Sequence, residues 1–390
     1  MKKILIFLLL LSEFYFAAFA GDIESYKQYT IIKTTNNYVP LRDGASDNAK
    51  RFSHLEKGVK IFADEYKNNF YRVDLGLDKY YWINKKDVDV TSKTIKKEPS
   101  KINEIKIFED EKYYTAKIKL TEIPPYNEIE TSKNSVDFII YDSILDKENL
   151  IQTIETNANF KISKDEFNNL KISYFSNVPL SGHNVQIDGD NLLLKVKKPF
   201  LYGENKPLEN LTIVIDPGHG GSDPGAVRNN LKEKDINLEI SKKVKSKLKK
   251  LGADVYLTRE KDEYKGLYER VDFAKEKNAD IFISIHQNSY LDRKNENKKE
   301  GTSAFYYNKE SYNLADEIKN AIVKRTKLKD DGTNLASLAV IRTADPVSVL
   351  IECGYIANKK ESEKLSDSNF QKKLARAIVS GVKNYLRNNF

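Results

Sequence analysis

Four side chains in the carboxyl-terminal half of this 390-residue chain, His219, Glu233, His286 and Glu352, are of the types that hydrolytic metal chemistry requires. Two imidazoles and one carboxylate make a catalytic zinc set that leaves a coordination position for water. The metal would lower that water's pKa towards neutrality and polarise a substrate carbonyl. A second glutamate outside the ligand set can take the water's proton and pass it to a leaving amine. Together these are the parts needed to hydrolyse an amide. Each residue also has a plainer reading. A histidine after a strand is usually just a hydrogen-bonded residue, and Glu233 reads equally well as a helix-terminal charge favoured by the dipole. Glu352 follows an apolar run, a poor place for a merely solvated carboxylate.

The elements around these residues decide whether they can meet. Residues 211–215 read as a short buried strand that runs into Asp216-Pro217-Gly218-His219-Gly220-Gly221. Glycines there let the backbone turn sharply and approach a ligand. Ile236, Ile240, Val244 and Leu248 recur every four residues, predicting a helix with Glu233 at its entrance. Residues 254–257 and 280–285 read as strands, the second preceded by a helix carrying Leu267, Val271 and Ala274 and leading into His286-Gln287-Asn288-Ser289. A helix over about 311–326, a strand over 347–351 ending at Glu352, and a terminal helix marked by Leu374, Ile378, Val382 and Tyr385 complete the series. The pattern predicts an α/β domain over 206–390, with a central, mostly parallel sheet flanked by helices. In such a sheet the carboxyl ends of the strands form the ligand crevice, so His219, His286 and Glu352 are expected on one edge.

The segments Ile213-Val214-Ile215-Asp216-Pro217-Gly218-His219-Gly220-Gly221, Glu233-Lys234-Asp235-Ile236-Asn237-Leu238, Ser284-Ile285-His286-Gln287-Asn288-Ser289 and Leu350-Ile351-Glu352-Cys353-Gly354-Tyr355-Ile356-Ala357-Asn358 resemble the zinc-dependent N-acetylmuramoyl-L-alanine amidases of the amidase-3 group. The likeness runs in order from about 212 to 390. It implies one zinc per catalytic domain, held by His219, Glu233 and His286, with Glu352 as the catalytic glutamate. It also implies cleavage of the amide between N-acetylmuramic acid and the L-alanine of the peptidoglycan stem peptide. Cys353 and Tyr355 depart mildly from the commonest residues at their positions. Asp216 and Asn288 are expected to shape loops, Arg259 and Arg270 to form structural ion pairs, and Cys353 to pack.

The amino-terminal half carries no such constellation. Residues 1–20 read as a signal peptide: Lys2 and Lys3, an apolar run over 4–11, and Ala18-Phe19-Ala20 as a cleavage site. Residues 21–90 read as closely spaced short strands forming a small β-barrel. Val39-Pro40-Leu41-Arg42, Leu55-Glu56-Lys57-Gly58, Phe70-Tyr71-Arg72-Val73 and Tyr81-Trp82-Ile83 resemble the bacterial Src-homology-3-like modules that accompany wall hydrolases, which makes Trp82 and the tyrosines candidate wall contacts, with barrel core as the plainer reading of each. Residues 91–101 are polar, lysine-rich and broken by Pro99, and read as a linker. Residues 102–205 are expected to form a β-sandwich-like domain whose ligand is not indicated.

Composition excludes several classes. A formal charge of +8, with acidic residues mixed throughout, suits a polyanionic envelope and argues against nucleic acid, because no concentrated basic helix is present. One cysteine allows no intramolecular disulfide. No segment after the signal is apolar for long enough to span a membrane, so the expected location is the periplasm, the cell wall or beyond it. Peptidoglycan is the expected partner, wall binding is a candidate role for the barrel, and no activator protein is expected, since no spare helix lies between His286 and Glu352 to plug the crevice. A zinc peptidase acting within the stem peptide and a non-catalytic wall-binding protein are the competing readings.

Overall fold

The computed structural model describes residues 28–75, 77, 80–145, 151–156, 158–203, 206–290 and 298–390. The expected signal peptide over 1–20 lies outside the described residues, as do residues 291–297. The chain divides into two compact units, Met1–Pro99 and Ser100–Phe390.

In the first unit, seven strands make one sheet in the order Arg51–Leu55, Val39–Arg42, Tyr81–Asn84, Phe70–Val73, Lys60–Lys67, Tyr29–Thr34, Val88–Thr94. Alternation puts Leu41, Leu55, Ile61, Val73 and Ile83 fully inside, one from each of five strands. Burying residues from so many strands of one sheet requires that sheet to curl over its own inner face. Trp82 points the other way and is half-buried.

The stretch expected as a linker over 91–101 is largely strand. Residues 88–94 pair antiparallel with Tyr29–Thr34, and the next strand, Ser100–Glu109, opens the second unit. A polar edge strand needs only backbone pairing on one side, and charged side chains there guard against further pairing. Composition alone therefore reads it as a linker.

The second unit holds both remaining regions. Four strands, Tyr126–Ser132, Ser135–Ile140, Leu170–Phe175 and Phe160–Lys164, form one sheet. A second is built on Ser100–Glu109, Tyr113–Leu120, Asn191–Lys197 and His183–Asp188. Tyr114 of the second stacks on Tyr174 of the first at 5.9 Å between ring centroids, so the two sheets face each other.

The α/β region has six strands in the order Asp254–Leu257, Thr212–Pro217, Ile281–Asn288, Val347–Tyr355, Thr302–Tyr306, Asp330–Leu335. All neighbours are parallel except Thr302–Tyr306, which runs antiparallel to Val347–Tyr355. Helices Glu233–Lys249, Tyr312–Thr326 and Ser368–Asn389 contribute Ile240, Val244, Ile318, Leu374 and Ile378 to one buried cluster with Ile213, Ile215, Ile283 and Val349. The strand at 330–335 closes one edge of the sheet. None of its residues is buried at the sheet edge, so it carries no apolar alternation. Residues 339–341 form a short 3-10 turn.

The β-rich region does not stand apart from the α/β region. Lys197, 4% exposed, places its Nζ 2.6 Å from Asp345 Oδ1, 3.2 Å from Asp280 Oδ1 and 2.7 Å from the Ala279 carbonyl. Tyr113 and Asn184 donate to the other Asp345 oxygen at 2.8 and 2.6 Å. A buried cation thus answers two buried acids across the boundary at 206, and each would be costly to bury alone.

Candidate active site

Strand Thr212–Pro217 ends in a loop where His219 takes φ 61°, a left-handed backbone that is uncommon outside glycine. That turn swings the imidazole back over the strand ends. Two flanking glycines are required by contact. A Cβ on Gly218 would lie 2.2 Å from His286 Nε2, and one on Gly225 would lie 2.6 Å from Glu233 Oε2.

Glu233 is the first residue of its helix and is 4% exposed. A two-strand hairpin, Val227–Arg228 against Leu231–Lys232, delivers it there. Asn229 and Asn230 turn that hairpin with φ 50° and 62°, the left-handed values a two-residue turn demands. The Glu233 carboxylate lies between the two histidines. Its Oε2 is 3.2 Å from His219 Nε2 and accepts from the Ala226 amide at 2.9 Å. Its Oε1 is 2.9 Å from His286 Nδ1 and accepts from the Gln287 amide at 3.1 Å. One donor atom from each of the three residues lies within 4.8 Å of the others. The two rings stand edge to face, 4.9 Å apart. Beyond them, His219 Nδ1 lies 2.8 Å from Asp223 Oδ2, the carboxylate support typical of a ligating histidine.

Burial works against charging His219, but Glu233 and then Asp223 outweigh it and raise the imidazole to about 9. Burial likewise opposes the Glu233 charge, yet the two histidines hold its carboxyl well below the ordinary range. At Glu352 burial outweighs the charges of the two histidines. Its Oε2 is buried without a hydrogen-bond partner, and burial pushes the carboxyl up to about 7. Strand Val347–Tyr355 carries it opposite His286 on one side and Ser303 on the other. It therefore sits within the strand rather than at its end, where the apolar run over 347–351 predicts it.

Residues 213–384 match the family described as N-acetylmuramoyl-L-alanine amidase. YqiI of Bacillus subtilis (strain 168) is 39% identical over 184 residues, which are 46% of this chain and 87% of YqiI. The chain belongs to the N-acetylmuramoyl-L-alanine amidase family. Peptidoglycan amide hydrolysis is the chemistry of that family. The N-acetylmuramoyl-L-alanine amidase LytC of the same organism is 37% identical over 186 residues, 46% of this chain but 36% of LytC. An N-acetylmuramoyl-L-alanine amidase crystal structure from Clostridium difficile 630 is 36% identical, spanning 45% of this chain and 97% of that one with a TM-score of 0.44.

The rest of the amidase domain braces the His219 loop. Asp216, fully buried, accepts from Thr258 Oγ1 at 2.5 Å, Ser284 Oγ at 2.7 Å and Arg270 Nη1 at 2.7 Å. Arg270 also donates to the carbonyls of Pro217 and His219. Arg259, expected in an ion pair, instead donates to the backbone carbonyls of Pro217, Gly218, Lys234 and Lys261. The loop's carbonyls need donors in the interior, and a guanidinium carries five in a fixed fork. Asn288 accepts from the Ser289 amide and its carbonyl holds Ile356. Cys353 is buried in the domain core, where burial raises its thiol.

Residues that sequence reasoning did not single out include Asp223, Gln287 and Asn237. Asn237 Nδ2 donates to the Gly218 carbonyl at 3.2 Å and to Glu233 Oε1 at 3.3 Å, and its Oδ1 accepts from Gln287 at 3.2 Å. The available signal was position: Asn237 lies one helical turn after Glu233 and so shares its face.

Proposed function

We propose that the amidase domain cleaves the amide between N-acetylmuramic acid and L-alanine, with His219, Glu233 and His286 holding one zinc ion and Glu352 moving the proton. The donor set fits this metal. Two nitrogens and a carboxylate oxygen converge, and three protein ligands leave a fourth position open. When bound, zinc supplies a Lewis acid that acidifies a ligating water and polarises the scissile carbonyl.

The observation that carries the reading is the unpartnered Glu352 Oε2, buried on the strand beside His286. An acceptor left without a donor in the interior is costly, and a water at the open position would supply one. Burial keeps this carboxyl's proton affinity close to neutrality, where a group can both accept a proton from water and return it to the departing amine. Gly218, with no Cβ, keeps His286 from being displaced, and Asp223 keeps His219 turned inwards.

Among the described residues between His286 and Glu352, the one α-helix, Tyr312–Thr326, packs its Leu314, Ile318 and Ile322 into the core. Among the described residues no helix of this stretch is left to plug the crevice, and His219 and His286 keep 25% and 18% of their side chains exposed. This supports activity without an activator. The substrate lies outside the cytoplasm, so we take residues 1–20 as the export signal and the first β unit, with half-buried Trp82, as a wall-binding element. No described helix is long and apolar enough to cross a membrane.

Mass spectrometry of muropeptides digested with the purified protein tests the reaction. Free stem peptides beginning with L-alanine are expected. Shortened stem peptides would establish a peptidase instead, and unchanged muropeptides would leave only a binding protein.

A further inference from the structure

We propose that Glu130, His183 and Glu310 form a second divalent-cation site, of the zinc type, which ties the β-rich region to the amidase domain. Glu130 comes from strand Tyr126–Ser132 and His183 from strand His183–Asp188, one from each facing sheet. Glu310 comes from the 3-10 turn Lys309–Ser311, immediately before an amidase helix. One ligand atom from each lies within 4.8 Å of the others. His183 Nε2 is 3.2 Å from Glu130 Oε1 and 3.8 Å from Glu310 Oε1. Zinc bonds of about 2.0–2.2 Å put tetrahedral neighbours about 3.3–3.6 Å apart, within the span of these two separations. On the far side of the ring, Nδ1 lies 2.8 Å from Glu128 Oε2. That is the carboxylate–histidine arrangement that orients a ligating imidazole, and His219 repeats it with Asp223 in the active site.

The independent sign of a missing cation is Glu310. Its residue is 1% exposed, and neither carboxylate oxygen has a hydrogen-bond partner. Burial, and then the neighbouring Glu130 carboxylate, raise the Glu310 carboxyl well above the ordinary range, so in the absence of a cation it keeps a proton. The adjacent lysine does not answer the charge. Lys309 Nζ donates to the Glu130 and Thr131 carbonyls, while its backbone amide caps Glu130 Oε2. Tyr385 from the terminal helix adds a buried hydroxyl, also without a hydrogen-bond partner, that feels the Glu310 charge. With all three carboxylates ionised, Glu128, Glu130 and Glu310 around one histidine make the cluster negative even when the imidazole is protonated. Buried negative charge of this kind is met by a cation or by a proton. Two oxygens and one nitrogen at these separations favour a cation of borderline softness.

Full-length protein saturated with zinc and crystallised should show an anomalous-difference peak at the zinc edge between Glu130, His183 and Glu310, separate from any peak at His219 and His286. Elemental analysis after removal of loose metal should give one zinc fewer per chain for Glu310→Gln than for the wild type. Turnover of a soluble muropeptide should stay within about twofold. A map without a peak in the triad means that the cluster holds only a proton, and the proposal fails. Equal zinc content in a folded Glu310→Gln protein overturns it as well. Should that variant not fold, the wild-type map decides alone.

Discussion

His286 and Glu352 face each other as register partners on adjacent parallel strands, and that pairing places the proposed proton carrier beside the proposed metal site. Neighbouring residues on paired strands project from the same face, so two rigid backbone segments fix the relation between these side chains. Glu352→Gln should therefore keep its zinc and its fold while losing turnover by about 10²- to 10⁴-fold. The pH profile should change too. The wild-type carboxyl must be ionised to accept a proton, so kcat/KM should rise with pH through an acid limb. That limb lies at or below about 7, because a bound cation lowers the value set by burial. A variant that lost its zinc, or kept both the limb and near-normal turnover, would remove Glu352 from this role.

Metal binding should itself depend on pH. Without zinc, Glu233 and Asp223 overcome burial and raise His219 to about 9, so below that pH a proton occupies the ring. A ligating imidazole must be neutral, so zinc displaces that proton and apparent affinity should climb as pH rises towards 9. Competition with a chelator across pH 6–9 measures it. His286→Ala should abolish both this site's zinc and activity, and full zinc at this site in that variant would sink the ligand assignment.

Gly218→Ala tests positioning without touching a reactive group. The new Cβ would meet His286 Nε2 at 2.2 Å, so the ring must move. Displacement by about 1 Å can cost on the order of 10²-fold in rate. Activity should fall at least that far while the thermal midpoint changes little. Unchanged kcat in a folded protein would show that the ring has freedom that its hydrogen bond to Glu233 does not suggest.

Acid should loosen the amidase domain through Asp216. Burial raises its carboxyl, but Arg270, Thr258 and Ser284 outweigh that and hold it below the ordinary value of about 3.9. Its contribution is thus complete above about pH 4 and lost as pH falls through the lower folded value. Arg270→Ala leaves Asp216 buried and unpaired, a change worth about 3–5 kcal/mol. Denaturant unfolding at neutral pH should show a loss of that size. A loss below about 1 kcal/mol would mean that another donor takes over.

Truncation separates the two halves of the chain. A fragment from 206 to 390 would leave Asp280 and Asp345 without Lys197, and Glu310 without His183. It should unfold at lower denaturant than a fragment from 100 to 390, which keeps those contacts. If residues 1–99 deliver the enzyme to the wall, the longer fragment should match full-length protein on soluble muropeptides and lag on intact sacculi. Equal rates on sacculi would rule out delivery, and equal unfolding midpoints for the two fragments would show that the buried ion pairs contribute nothing.

Much of the amidase domain is determined locally, which is why the sequence alone is informative there. The strand into Asp216-Pro217-Gly218-His219, the four-residue stripe after Glu233 and the apolar run into Glu352 each encode an element and its end. Hydrophobic periodicity is a short-range property, and strand ends in an α/β sheet share one edge whatever else the chain does. The polar strand at 330–335, and the one over 88–94, carry no such periodicity, because edge pairing needs backbone alone. Tertiary structure decided what depends on distant partners. It set Glu233 between two histidines 14 and 53 positions away, and turned Arg259 onto carbonyls rather than an acid. It also buried Lys197 against Asp280 and Asp345, and His183 against three carboxylates. In the sequence Lys197 and His183 are ordinary polar residues of a β-rich stretch. A buried charge takes its meaning from whatever the fold brings within a few ångströms of it, and that information is spread across the whole chain.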